Sequence, residues 1–368
     1  MMPMFRVRAP GRINLIGEHV DYQDGWVMPM AIDRYITAEI TPRADPVIEV
    51  DSDRNTLGPI LGTPDDALPR EGDQDWANYV FGVIAVYREA GIACPGFSMQ
   101  ISADLPDGAG LSSSAAMETL TALTVEHLSG KTLAPVRRAK LCQRAEHTWA
   151  KVPCGIMDQL AVGASESGAA LLIDCRDCSL ESVPLPDGVS VVVADTRVKH
   201  ALGDGPYKER RGACEATARL FGVSTLRDVT LEQVHAAADE LGELYPRARH
   251  VVSEIARVPA FATALRNGAF EEVGQLMLAS HVSLRDDFEV SCKELDALVD
   301  AAYAFGPEQG LIGSRMTGGG FGGSTVSLVH TAAAPALMRH LEQVRFKDLP
   351  RSAHIFSVQA AAGAHILP

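Results

Sequence analysis

Two runs in this sequence carry more reactive side chains than packing requires. In "LPDGAGLSSSAAME" (105–118), Gly108 and Gly110 precede Ser112, Ser113 and Ser114. The glycines allow the backbone to turn its N–H groups inward. The serines then fall at the first turn of a helix, where unpaired N–H groups and hydroxyls face one way. Such a helix start carries roughly half a positive charge and can hold an oxyanion without a lysine. A glycine turn capped by serine is the plainer alternative, and it would need only one of the three.

The second run is "APGRINLIGEHVDYQDGWVMPMAI" (9–32), where Arg12, Glu18, His19 and Asp21 sit among Ile13, Leu15, Ile16 and Val20. Charges in apolar surroundings are seldom fully buried without partners. Two readings stay open: a structural ion-pair network, or a pocket for a ligand rich in hydroxyls, which carboxylates and histidine can bind. Further along, "EHTWAKVPCGIMDQL" (146–160) adds Glu146 and Asp158. Asp158, in an apolar run after Gly155, reads as a helix N-cap unless the fold brings it close to Arg12, which would give it another task.

Two further glycine segments fail as nucleotide motifs. "SGKT" (129–132) ends like a phosphate loop, but the glycine needed five residues before Gly130 is Val125. It also closes a helix, where the dipole is negative. "GGGFGG" (318–323) matches G-x-G-x-x-G, but "STVSLVH" after it alternates like a strand, whereas a dinucleotide fold needs a helix there. It reads either as a glycine-rich hairpin or as bare backbone that lets a ligand approach closely.

The elements that must position these groups follow from periodicity. Strands are expected at Phe5–Ala9, Ile36–Thr41 and Val47–Val50, in "GFSMQISADLP", in "GAALLIDC" and in "VSVVVADT". Helices are expected at Trp76–Gly91, Ser113–Leu128 and Ala134–Lys151, with a shorter one from near Ile156. From about Pro206 the pattern is mostly helical, until a strand–glycine loop–strand near 310–330 and a closing helix and strand. Both halves mix helices and strands without strict alternation, so the fold class is α+β. The division is placed at 185/186, near Pro184–Asp187.

The chain of 368 residues has room for two domains, and its net charge of −14 argues against nucleic acid and anionic membranes as partners. No apolar run approaches the roughly 20 residues of a membrane span. "MMPMFRVRAP" lacks a signal peptide's apolar segment, so a cytoplasmic protein is expected. Seven cysteines are no disulfide framework; Cys175 and Cys178 form a lone CxxC, read as two ordinary thiols.

Together these segments resemble the GHMP small-molecule kinases and, within them, the galactokinase family. "GRINLIGEHVDY" is close to the sugar signature of that family, "GAGLSSSAA" resembles its ATP-binding motif and "RMTGGGFGG" its third motif. "WANYV", "CGIMDQL" and "SLRDDFEVS" match in order and rough spacing. The resemblance covers nearly the whole chain. It implies a ribosomal-S5-like N-terminal domain (1–185) and a ferredoxin-like C-terminal domain (186–368), with the active site between them. It also implies ATP-dependent phosphorylation of the anomeric C1 hydroxyl of D-galactose. On that likeness Asp158 would be the catalytic carboxylate and Arg12 its partner. Glu18, His19, Asp21, Gly155 and Tyr207 would hold the sugar. Gly108, Ala109, Gly110, Leu111, Ser112, Ser113 and Ser114 would wrap the ATP phosphates, Trp76 would meet adenine, and Ser114 and Glu146 would ligate Mg²⁺. A monomer is expected.

The chain departs from the family pattern at Val20, Gln23, Pro206 and Ser324, where threonine, asparagine, an acidic residue and cysteine are frequent. Three other readings compete: a kinase of N-acetylgalactosamine, another sugar or mevalonate; a non-catalytic galactose and ATP sensor; and an oxidoreductase using "GGGFGG". The small pair Ala115 and Ala116 is read as letting the helix begin close to the nucleotide.

Overall fold

The structure, a computed structural model, describes residues 2–65, 68–106, 108–199, 205–346 and 352–368. Asp107 of the glycine loop and Gly203 and Asp204 before Pro206 lie outside the described residues.

A six-stranded sheet carries the first charged run. Its order is His365–Leu367, Phe5–Asn14, Pro29–Pro42, Phe97–Ala103, Ile48–Ser52 and Ile60–Gly62. All neighbours are antiparallel except Ile48–Ser52 with Phe97–Ala103. The first strand is longer than its alternating pattern, because it continues past a register shift between Pro10 and Gly11. Proline gives no ladder hydrogen bond and is accommodated at such a bulge. Bulges re-aim side chains, and Arg12 follows this one, its N–H donating to the Leu111 carbonyl at 3.0 Å.

The glycine segment near 318 behaves as its alternation predicted. Leu311–Thr317 and Gly322–His330 pair as an antiparallel hairpin within a four-stranded sheet, completed by Val189–Lys199 and His354–Val358. The loop must be glycine where it passes Val290: a Cβ on Gly320 would lie 2.2 Å from the Val290 carbonyl oxygen, and its φ is +81°. A small third sheet joins Trp26–Val27, Ala169–Asp174 and Ser179–Pro184. Its last hairpin turn holds Cys175 and Cys178, both buried and free.

The helix after the serines spans Ser113–Ser129 and stops at Gly130, whose φ is +66°, so "SGKT" is a helix end. Ala115 and Ala116 are fully buried in the main core and line neither cavity described below. Their small size suits close helix–sheet packing. The helix expected over Ala134–Lys151 divides into an α-helix, Pro135–Ala145, and a π-helical turn, Glu146–Ala150, ended by Lys151 at φ +62°. Trp76 lies in a 3₁₀ turn, Gly72–Ala77, ahead of the helix Asn78–Glu89.

A line at 185/186 separates the six-stranded sheet from the four-stranded one, except for His365–Leu367, which crosses back to pair with Arg6–Arg8. One apolar core runs through both halves, with Val7 and Ile40 in the same cluster as Val193 and Leu328. No described helix is long and apolar enough to cross a membrane.

Candidate active site

The bulged first strand sends Arg12 to Asp158, 146 positions away. The guanidinium meets the carboxylate in a fork, Nε to Oδ1 and Nη2 to Oδ2, each at 2.7 Å. Its Nη1 donates to the Gly110 carbonyl at 2.6 Å. Burial works against the Arg12 charge, but Asp158 beside it prevails and lifts its pKa. Asp158 lies in the first turn of Met157–Ala164 without capping it. Of the two roles open to Asp158, the ion pair is the one realised.

Ser112 turns its side chain to the ion pair. Its hydroxyl donates to Asp158 Oδ2 at 2.5 Å, it sits ahead of the helix at φ +59°, and it lines neither cavity. It therefore belongs with the Arg12–Asp158 pair, although it falls in the phosphate-loop motif. Ala109 and Leu111 are buried, and their carbonyls accept from the Ser324 hydroxyl at 2.7 Å and the Arg12 N–H at 3.0 Å. Only their N–H groups could face a phosphate. Ser324 thus ties the glycine loop to the third motif.

Arg12 and Asp158 line a cavity of about 460 Å³ that also takes in Glu18, His19, Asp21, Gly108, Gly110, Ser114, Glu146, Gly155, Tyr207 and the loop Gly318–Gly323. Glu18 is clamped: its Oε1 accepts from the Gly318 N–H at 2.8 Å, the Thr317 hydroxyl at 3.2 Å and Arg315 Nη1 at 3.4 Å. His19 faces the Gly319 carbonyl through Nε2 at 3.1 Å and the Tyr22 hydroxyl through Nδ1 at 3.0 Å. Burial, then His250, pushes its pKa down to about 3, so the ring is neutral, with the proton on Nε2 and Tyr22 donating to Nδ1. Asp21 is pushed up to about 6 by burial and then by the Asp158 charge. Gly155 must be glycine, since a Cβ would fall 1.7 Å from Asp21 Oδ2. Tyr207 packs on His19 and Tyr22, with centroids 5.3 and 5.9 Å apart, so Pro206 does not keep it from the site.

On the far side, the π-helical turn delivers Glu146. Its carboxylate accepts from Gln159 Nε2 at 2.7 Å and from the Cys154 thiol at 3.1 Å, and it is hydrogen-bonded to Ser114. Burial is the main cause that holds it up at about 6, with Asp158 adding to it. Burial, then Glu146, also raises the Cys154 thiol, which remains a donor. Among the described residues no three His, Cys, Asp or Glu side chains converge on a metal position. Ser114 and Glu146 fit a hard divalent ion that takes its other oxygens from nucleotide and water. Ser113 and Ser114 also border a second cavity of about 290 Å³ walled by Trp76, Tyr79, Ile101 and Met117 and, on its polar side, by Ser52, Arg54 and Asn55.

Four participants went unread in the sequence: Arg315, Thr317, Gln159 and Cys154. Arg315 had a signal, because it is the one charge in the buried strand "LIGSRMT" and is fully buried. Gln159 and Cys154 had none beyond lying beside Asp158 and Gly155.

Paired acid and arginine, a serine-rich helix start and glycine backbone around one cleft define a small-molecule kinase of the GHMP class. In agreement, residues 78–166 match the GHMP kinases N terminal domain and residues 261–344 the GHMP kinases C terminal domain. The two-domain α+β expectation therefore holds. Residues 2–42 match the galactokinase galactose-binding signature. The chain is 44% identical to galactokinase of Bos taurus, covering 99% of this chain and 93% of that protein. It is 40% identical to that of Streptomyces coelicolor over 98% and 93%. The crystal structure of Lactococcus lactis galactokinase complexed with galactose superposes with a TM-score of 0.94 at 33% identity, covering 99% of this chain and 95% of that one. The chain belongs to the galactokinase family.

Proposed function

We propose that the chain transfers the γ-phosphoryl group of ATP to the anomeric C1 hydroxyl of D-galactose, giving galactose 1-phosphate and ADP. The observation that carries this reading is the Arg12–Asp158 fork lining the larger cavity together with the Glu18–Asp21 loop and Ser114 at the start of the Ser113–Ser129 helix. Glu18, His19, Asp21, Gly155 and Tyr207 would face the sugar, and the glycine loop with Ser113 and Ser114 the phosphates. Trp76 would border adenine. The reading includes a cytoplasmic, monomeric enzyme.

Phosphoryl transfer passes through a loose transition state whose charge lies on the three equatorial oxygens, so positioning and positive potential matter most. Arg12 and the helix start supply that potential within an acidic protein. Asp158 orients the hydroxyl and accepts its proton late, because a loose transition state asks little of the nucleophile. Ser112 and Arg12 fix the carboxylate for that task. Mg²⁺ held by Ser114 and Glu146 would neutralise phosphate charge and satisfy a carboxylate otherwise crowded by Asp158.

The test is an ADP-release panel with galactose, N-acetylgalactosamine, glucose, arabinose and mevalonate, with Mg²⁺ present and absent. Turnover is expected with galactose and Mg²⁺, and none without the metal. Turnover with mevalonate and none with galactose would overturn the substrate assignment.

A further inference from the structure

The sugar loop has an unusual backbone. Gly17 and His19 both sit at positive φ, +96° and +60°, and they bracket Glu18. A histidine in the left-handed region persists only where its surroundings over-determine it. Part of those surroundings, at Gly17 and the Glu18 main chain, comes from the helix Tyr245–Arg266, more than two hundred residues later.

We propose that His250 and Glu254, one turn apart on that helix, are positioning residues that hold the sugar loop in its binding shape from behind, so that they set galactose affinity without touching the sugar. The proposal rests on the reading that Glu18 and His19 bind galactose.

Glu254 is fully buried, and its Oε1 accepts from the Gly17 N–H at 2.9 Å and the Ser280 hydroxyl at 2.6 Å. Its Oε2 pairs with Arg257 at 2.7 Å. Burial would raise its pKa, but Arg257, His250 and Arg315 together bring it down to about 2, so it is a carboxylate at neutral pH. His250, also fully buried, places Nε2 at 3.2 Å from the Glu18 carbonyl and Nδ1 at 3.0 Å from the Ser283 hydroxyl. Burial lowers its pKa to about 4, so the neutral ring donates to Glu18 through Nε2, while Nδ1 shares the single Ser283 hydroxyl proton with Asp287 Oδ2. Helix positions i and i+4 share a face, and these two reach the N–H before Glu18 and the carbonyl after it.

A second contact runs through rings. Phe288 lies between the two imidazoles, 4.6 Å from His250 and 4.9 Å from His19 between centroids. The helix thus bonds the main chain of residues 17 and 18 directly and reaches the ring of residue 19 only through Phe288. Neither His250 nor Glu254 lines the cavity. A helix needed only for packing would put apolar side chains here, since buried ionic groups are expensive to desolvate.

His250→Phe keeps the ring against Phe288 and removes the donor to Glu18. Ser283 retains Asp287 as an acceptor at 2.9 Å. The galactose KM is expected to rise about tenfold, equivalent to about 1.4 kcal/mol, while the ATP KM stays within about twofold. His250→Gln, which restores an N–H, is expected to recover most of the loss. An unchanged galactose KM in folded His250→Phe, or equal rises in both KM values, would overturn the proposal. Hydrogen exchange on the wild-type chain tests it independently of any variant's folding: the Gly17 amide is expected to exchange at least about 100-fold more slowly than an open loop, and exchange at the open-loop rate sinks the clamp. If the wild-type chain shows no galactose turnover at all, the sugar reading beneath the proposal has failed and not the clamp itself.

Discussion

Asp158 and Asp21 show how two carboxylates in one cleft take different tasks. Asp158 is paired with the Arg12 fork and accepts from the Ser112 hydroxyl. Asp158→Asn presents an amide N–H to that fork and removes the proton acceptor. Turnover is expected to fall by about 10²–10⁴-fold, the usual worth of a general base, while galactose binding stays measurable by titration. Turnover within a few-fold of wild type would rule out this role. Asp21 forms no ion pair of its own among the described residues; its carboxylate accepts from the Tyr22 N–H at 3.1 Å and from the Met157 N–H. Burial first, then Asp158, holds its carboxyl at about 6, above its ordinary 3.8. Binding that needs the carboxylate should weaken as pH falls, with the galactose KM at pH 5 about tenfold above that at pH 7.5, one pH unit below a pKa of about 6 giving one decade. Asp21→Asn should raise the KM at pH 7.5 and flatten its pH dependence. Stability runs the other way. A carboxyl whose pKa is raised on folding stabilises the fold fully below its unfolded value, and that contribution is lost as pH rises through about 6. The ligand-free Asp21→Asn chain should therefore melt above wild type at pH 7.5, with the gap closing toward pH 5 in thermal scans. A gap that is constant with pH would contradict the raised pKa.

At the scale of elements, the site is built from helix ends and strand irregularities, and these differ in how far local sequence announces them. The helix Ser113–Ser129 was legible because its start chemistry and glycine stop are local. The π-helical turn at Glu146 was not, because distant contacts fix it: Trp149 lies against Gly82, where a Cβ would fall 2.7 Å from the tryptophan side chain, and Glu146 meets Gln159. The left-handed residues of the sugar loop and the bulge before Arg12 were hidden for the same reason. Gly155 joins these elements. It ends the segment after the π-helical turn, begins the approach to Asp158, and lies against Asp21. Gly155→Ala must displace the Asp21 carboxylate by an ångström or more, a misplacement that costs on the order of 10²-fold in catalysis. The loss is expected in kcat/KM for galactose, with the ATP KM little changed. A variant with wild-type kcat/KM would show that Asp21 does not contact the sugar.

For the whole molecule, residues that act together lie far apart in the chain: Arg12 with Asp158, Glu18 with Gly318, Gly17 with Glu254. Periodicity gave the elements and motifs gave the candidate groups, but neither gave these pairings, which depend on strand order and on how the halves share one core. The final residues make the point most plainly. A closing strand was expected near 354–359, but the chain runs on, and His365–Leu367 returns to the first sheet. On the way the Ala361 N–H donates to the Ala31 carbonyl at 2.9 Å, and Ala31 sits opposite Arg12 in the sheet. The Ala364 N–H donates to the Val162 carbonyl at 2.8 Å, on the helix that bears Asp158. This segment therefore ties the arginine strand to the aspartate helix, although it touches no substrate position. Deleting residues 360–368 uncovers the edge of Phe5–Asn14, an invitation to aggregation, and removes both ties. The melting temperature is expected to fall by at least about 2.5 °C, of the size that ~2 kcal/mol or more produces in a chain this long. Below that transition kcat should fall about tenfold, with both KM values less affected, because the geometry disturbed is that of the reacting pair. Unchanged melting and unchanged kcat would mean that the two elements hold their register without the segment that joins them.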